Sequence, residues 1–146
     1  MIHQKEFITA SLIVKLGNAV TYYRNMKMED IGLTSVQSDA LIAMLRDPEI
    51  TASQLKERLN LSQSTVAGII ERLESKGLVS KVTDPDDARK THLIPTEKGR
   101  QLEDKLREIA LDIQKALLRG MNADEQAEFS RLLGIALENL NEVRKS

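Results

Sequence analysis

Apolar residues recur along most of this chain at helical spacing, and the places where that rhythm breaks divide it into elements. Ile8, Leu12, Leu16, Ala19, Tyr23 and Met26 follow one another at steps of three or four, forming one stripe of a long first helix that Gly32 ends. Thr34-Ser35-Val36-Gln37 has the spacing of a capping box and opens a short, mostly apolar second helix through Leu41, Met44 and Leu45, closed by Asp47-Pro48. Thr51-Ala52-Ser53-Gln54 repeats the box for a third helix, with Ile50 placed to staple onto Leu55 and Asn60 suited to its end. Ser62 then caps a fourth helix, Leu61 can staple onto Val66, and Val66, Ile69, Ile70 and Leu73 form its buried stripe before Gly77 supplies a left-handed stop.

Beyond Gly77 the period changes. Leu78 to Thr83 and Lys90 to Ile94 are β-prone and flank the turn-forming run Asp84-Pro85-Asp86-Asp87-Ala88-Arg89, so a hairpin is expected there. Pro95 removes a strand donor, which predicts that the second strand ends early or lies at an edge. Helical spacing returns with Leu102, Leu106, Ile109, Ile113 and Leu117, stops at Gly120, and restarts after an Asn122-x-x-Glu125 cap with Phe129, Leu133, Ala136, Leu140 and Val143.

Two short capped helices followed by a hairpin are the parts of a winged helix-turn-helix. The exposed face of the fourth helix would carry Ser62, Gln63, Ser64, Thr65 and Gly68, with Arg72 and Lys76 further along. Short side chains let two backbones approach, and amides and hydroxyls reach base edges or phosphates in a major groove. Taken alone, the same cluster is equally explained by the preference of helix starts for Ser and Thr. The hairpin tips the balance. Asp87 and Arg89 are two residues apart, so in an extended strand they share a face, and the carboxylate can orient a guanidinium aimed at a minor groove. Without the preceding helices, a surface ion pair in an acidic turn would be the better reading.

Composition adjusts this picture only locally. The 146 residues suit one domain, and a net charge of −1 with a pI near 6.2 gives no global basicity. Residues 51–100 nonetheless hold nine Lys or Arg against seven acids, +2, and the remainder is −3. The absence of cysteine removes disulfides, thiolate catalysis and Cys-ligated zinc. His3 and His92 lack metal-ligand spacing, no glycine-rich loop could cradle a phosphate, and the neighbouring carboxylates Asp84, Asp86 and Asp87 fall on a turn rather than in a cleft. No enzyme, cofactor or metal is therefore expected. No signal-like or membrane-spanning stretch is visible, so a cytoplasmic protein without membrane contact is expected.

The ordered set of a helix-turn-helix, Gly77-Leu78-Val79 leading into a strand, Asp87-x-Arg89 at a wing and Thr96-x-x-Gly99 opening the next helix resembles the MarR family of transcriptional regulators. The resemblance covers essentially the whole chain. It implies a mainly α fold with a small β wing, in which Ser62 to Arg72 is the recognition helix, Asp87 with Arg89 is the wing motif, and Thr96 and Gly99 begin a long fifth helix. It also implies dimerisation through N- and C-terminal helices. Stripes in those helices, far from the motif, point the same way, although a bundle within one chain is the alternative. Residues 1–33 and 97–146 would form the dimerisation region and 34–96 the DNA-binding region of one compact domain.

Tyr22, Tyr23 and Met26 near the end of the first helix, with Met44 on the second, could line an apolar ligand site, but such a stripe is more often core. The expected protein is a homodimeric, sequence-specific, ligand-responsive regulator, repression being the favoured sign, that reads a palindromic operator in double-stranded DNA and answers a small aromatic or lipophilic effector. A winged-helix adaptor that binds protein instead of DNA is the competing reading.

Overall fold

The computed structural model describes residues 7–145, and His3 lies outside them. The chain divides into two compact units, one running to Leu111 and the other from Asp112.

In the first unit α1 spans Ile8–Met28, a single 3-10 turn covers Glu29–Ile31, and Gly32 ends it in the left-handed region at φ 70°. α2 (Ser35–Arg46), α3 (Ala52–Leu59) and α4 (Gln63–Ser75) follow. Their starts are the predicted ones. Thr34 and Gln37 close a complete capping box, as do Thr51 and Gln54, and Ser62 accepts the Thr65 N–H at 3.2 Å. Losing any of these caps costs about 1 kcal/mol. Asn60 adopts the left-handed conformation at φ 56° and turns the chain from α3 into α4.

β1 (Val79–Thr83) and β2 (Thr91–Pro95) form an antiparallel hairpin in which Val79 faces Pro95 and Thr83 faces Thr91. The second strand runs through the proline, and of the two expected outcomes the edge position is the one found: in this two-stranded sheet β2 has β1 as its partner strand. Asp84 N–H donates to Lys90 and Thr96 N–H to Leu78, so the alternation of an antiparallel ladder makes Val79–Pro95 a non-hydrogen-bonded pair. The proline nitrogen faces away from β1 and no ladder bond is lost. On that outer edge Leu93 N–H bonds the Ile50 carbonyl at 2.9 Å, tying the hairpin to the segment before α3.

The core of this unit sits among α2, α3, α4 and the hairpin: Leu41, Met44, Ile50, Leu55, Leu73 and Leu93 are fully buried. Each contributes about 1.5–3 kcal/mol. Ile50 and Leu55, the residues expected to form a staple, are both among them. Buried Ser38 donates to the Thr34 carbonyl at 3.0 Å, leaving its hydroxyl satisfied.

After Thr96, the helix expected to be long and continuous is divided into α5 (Glu97–Arg100) and α6 (Glu103–Leu118), with a turn at Gln101–Leu102 between them. Thr96 caps α5 through the Gly99 N–H. Gly99 is buried, and a Cβ there would stand 2.3 Å from the Leu78 carbonyl oxygen, so α5 can lie this close to β1 only with glycine. Leu106 and Ile109 on α6 are buried.

The second unit holds the end of α6, Gly120 in the left-handed region, and α7 (Ala123–Lys145). Asn122 and Glu125 exchange backbone and side-chain bonds at 2.9 Å at its start, as their spacing predicts.

Candidate nucleic-acid interface

Helix α4 presents its apolar stripe to the core, which dictates what faces outward. With Val66, Ile69, Ile70 and Leu73 buried, Gln63, Ser64, Thr65 and Arg72 are exposed and Gly68 is half-buried. Ser62 is exposed but already engaged: its hydroxyl caps the helix and bonds the Thr65 hydroxyl at 2.8 Å. Gln63 is thus the outward polar group of the first turn with no bond to that cap, and the Ser64 hydroxyl lies 3.3 Å from that of Ser62. A Cβ added at Gly68 would meet nothing within 4 Å, so its bare backbone is an open approach surface.

Asp87 and Arg89 are joined as expected but by a different geometry. They do not lie in a strand. Lys90 N–H closes a turn on the Asp87 carbonyl at 3.0 Å, and Asp87 Oδ1 accepts both the Arg89 N–H at 3.0 Å and the Arg89 Nε at 3.2 Å. A short carboxylate that bonds the backbone two residues on is the usual way Asp stabilises a turn. The guanidinium is thereby aimed outward, its side chain 92% exposed.

The acidic tip is also internally bonded through Asp84. Asp84 accepts the Asp86 N–H at 2.7 Å, the Asp87 N–H at 3.2 Å and His92 Nε2 at 2.7 Å, while His92 Nδ1 meets the Glu49 carbonyl at 3.0 Å. The His92 hydrogen bond, followed by the Asp86 N–H, lowers the Asp84 pKa, and the Asp84 bond, followed by the Glu49 carbonyl, raises that of His92. Both ring nitrogens face acceptors, a geometry that the doubly protonated imidazolium satisfies in full.

Between α3, the start of α4 and the wing lies a cleft of about 720 Å³. Gln63 and Arg89 line it together with Lys56, Lys81, Lys90, Ser53, Gln54 and Thr91; four cations and no carboxylate line it, while from beside it Glu74 pairs with Lys81 at 3.5 Å and Asp87 with Arg89 at 3.2 Å. Sequence reasoning missed the three lysines. Lys81 did leave a signal: two residues after buried Val79 and opposite buried Leu93, it stands where alternation expects an inward apolar side chain, and its cation marks a cleft instead of core.

Lys76 belongs elsewhere. Grouped by sequence with Arg72 and Arg89, its ammonium instead bonds the Gly32 carbonyl and, at 2.9 Å, Gln37 Oε1. Nor are the four candidate ligand residues brought together. Met44 is fully buried in the core, Tyr22 is 74% exposed, Met26 is exposed, and Tyr23 stacks under Lys27, whose nitrogen is 5.5 Å from the ring centre. None of the four lines the basic cleft or a shallower one beside the α1–α2 corner, which is lined by Thr21, Asn25, Glu29, Gly32, Leu33, Thr34, Ser35 and Val36. Among the described residues no cluster of His, Asp and Glu could hold a metal, and no helix is long and apolar enough to cross a membrane.

Capped α3 and α4 with a hairpin that closes a basic cleft define a winged helix-turn-helix transcriptional regulator. Comparison with known proteins makes the assignment specific. The MarR family model matches residues 31–90. The chain is 33% identical over 104 residues to the HTH-type transcriptional repressor NicR of Pseudomonas putida, covering 71% of this chain and 66% of that protein. A MarR transcriptional regulator from Methanosarcina mazei superimposes with a TM-score of 0.86 at 28% identity, covering 94% of this chain and 99% of that one. Bordetella bronchiseptica BpsR, whose DNA binding is regulated by 6-hydroxynicotinic acid, does so at 0.82 and 25% identity, covering 93% and 96%. The chain belongs to the MarR family of transcriptional regulators, which are not enzymes.

Proposed function

We propose that this chain is a homodimeric, cytoplasmic, sequence-specific DNA-binding repressor. One observation carries the reading: a cleft with four cations and no carboxylate adjoins the exposed first turn of α4, in a chain whose net charge is −1. Duplex DNA is the polyanion such a cleft fits, with phosphates on Lys56, Lys81 and Lys90 and base edges within reach of Gln63 and Ser64. Arg89 enters the minor groove and Arg72 meets backbone phosphate. An adaptor has no need for four cations gathered along one cleft. NicR, a repressor by name, supports the sign of regulation.

Dimerisation is supported by apolar surface left bare in each unit. On α1, Ile8, Leu12, Ile13 and Val14 are exposed, and on α7 so are Leu132, Ile135, Leu137 and Leu140. Exposed apolar side chains in such number on one helix are what an association surface supplies. A two-fold pair of recognition helices about 34–36 Å apart would read a palindrome. The regulation of BpsR by 6-hydroxynicotinic acid supports a small aromatic acid as effector.

The test is a gel-shift titration of wild type and Arg89→Ala against the DNA upstream of the chain's own gene, alongside light scattering for mass. Specific binding by a dimer, weakened in Arg89→Ala and released by an aromatic acid, is expected. Equal binding by both proteins, or none by either, refutes the DNA reading.

A further inference from the structure

The C-terminal end of α4 is anchored at several points, and Lys76, its C-cap residue, makes the longest-range of these ties. Its ammonium crosses to the corner between α1 and α2, donating to the Gly32 carbonyl and to Gln37 Oε1. Neither acceptor is incidental. Gly32 is the left-handed residue that ends the 3-10 turn, and Gln37, 4% exposed, is the reciprocating member of the α2 capping box. Gln37 Oε1 also accepts the Thr34 N–H at 3.2 Å, so one lone pair completes the box and the other holds Lys76. The main chain is fixed as well: the Lys76 carbonyl accepts from Lys98 Nζ at 3.0 Å, and the Gly77 carbonyl from Thr96 Oγ1 at 2.6 Å.

An end held in this way acts on the other end as a lever. α4 has 13 residues. At 1.5 Å per residue it is roughly 20 Å long, so a tilt of about 3° at the anchored end moves the first turn by about 1 Å. Hydrogen bonds to base edges tolerate a spread of only about 0.5 Å in donor–acceptor distance, so such a tilt separates good from poor readout.

We propose that Lys76 is a positioning residue for DNA recognition: by bonding Gly32 and Gln37 it fixes the tilt of the recognition helix, and it does not touch DNA itself. This rests on the DNA-binding reading above.

The experiment selects a preferred duplex from a random pool with the full-length wild-type protein. Kd is then measured for wild type and Lys76→Met on that duplex and on a scrambled one, across a salt series. Lys76→Met should lose about tenfold on the selected duplex, comparable to one mismatched base pair, and less than about twofold on the scrambled one. The slope of log K against log salt should be unchanged. A slope reduced by about 1, with equal losses on both duplexes, would make Lys76 a phosphate contact and overturn the proposal. Unchanged affinity on the selected duplex would overturn it too. If circular dichroism shows that Lys76→Met does not fold, Lys76→Gln, neutral but still a donor, is read by the same criteria. Failure of the wild type to select any duplex refutes DNA binding itself, a different outcome from a wild type that binds and a variant that binds equally.

Discussion

Replacing Gly99 by alanine tests how closely α5 is seated on the wing. The new Cβ would stand 2.3 Å from the Leu78 carbonyl oxygen and 3.3 Å from its carbon. Carbon–oxygen contacts settle at about 3.3 Å or more, so α5 would have to retreat from β1 by about 1 Å. Two bonds cross that gap, Thr96 N–H to Leu78 at 2.9 Å and Thr96 Oγ1 to Gly77 at 2.6 Å, and neither survives such a shift. Overpacking costs about 1–3 kcal/mol, each lost bond roughly 1, and the gain in helix propensity returns about 1. The net is a loss of about 2–4 kcal/mol, which lowers Tm by about 5–12 °C for a chain of this size. Gly68→Ala is the control, because a Cβ there meets nothing within 4 Å and only the propensity gain remains. Thermal denaturation at matched protein concentration decides. If Gly99→Ala raised Tm as Gly68→Ala should, the close approach of α5 to β1 would be refuted.

Gly68→Ala should also weaken binding to the preferred duplex while stabilising the fold; unchanged affinity in gel shift would mean that DNA does not approach this part of α4. Arg72→Ala should lower affinity evenly across sequences and reduce the salt slope by about 1, whereas Gln63→Ala should relax base preference, and one shared pattern for both would refute the division of roles. His92 has a pKa raised above its ordinary 6.5, so its contribution is complete below 6.5 and is lost as pH rises through the folded-state value; Asp84 has a pKa lowered from 3.8, so its contribution holds above 3.8 and is lost as pH falls. The Tm gap between wild type and His92→Asn should therefore be widest between those two values and close toward alkaline pH, and a gap independent of pH would refute the pairing of His92 with Asp84.

Elements whose determinants are local were legible. Thr34, Thr51, Ser62 and Asn122 announce helix starts because the groups they satisfy lie within three residues, and Gly32, Asn60, Gly77 and Gly120 mark turns because only a left-handed backbone fits there. What escaped depends on partners far along the chain. Nothing within ten residues of Lys76 says that its ammonium will meet Gly32, 44 positions away, so its spacing from Arg72 suggested a groove contact. Pro95 left an early strand end and an edge position both open, because its pairing parity follows from the hairpin register, which a single strand does not reveal. Lys56, Lys81 and Lys90 come from three elements, and only the fold brings them to one cleft.

The electrostatics of the wing explain how a chain of net charge −1 can present a surface suited to DNA. Interactions between exposed charges fade beyond about 8 Å at physiological salt, so the sign that matters is that of the groups within the cleft, not that of the chain. There four cations line the cleft, Lys81 pairing with Glu74 at 3.5 Å and Arg89 with Asp87 at 3.2 Å. Glu74 pairs with Lys81 from α4, and the acids of the tip, Asp84 and Asp87, are turned inward onto His92, two backbone N–H groups of the tip, and Arg89 with its own N–H. Those same bonds shape the turn that holds Arg89 out. Removing the acids to make the wing more basic would therefore release the arginine they orient. The carboxylates are the scaffold for the positive charge, and a wing with a higher net charge would be a less directed one.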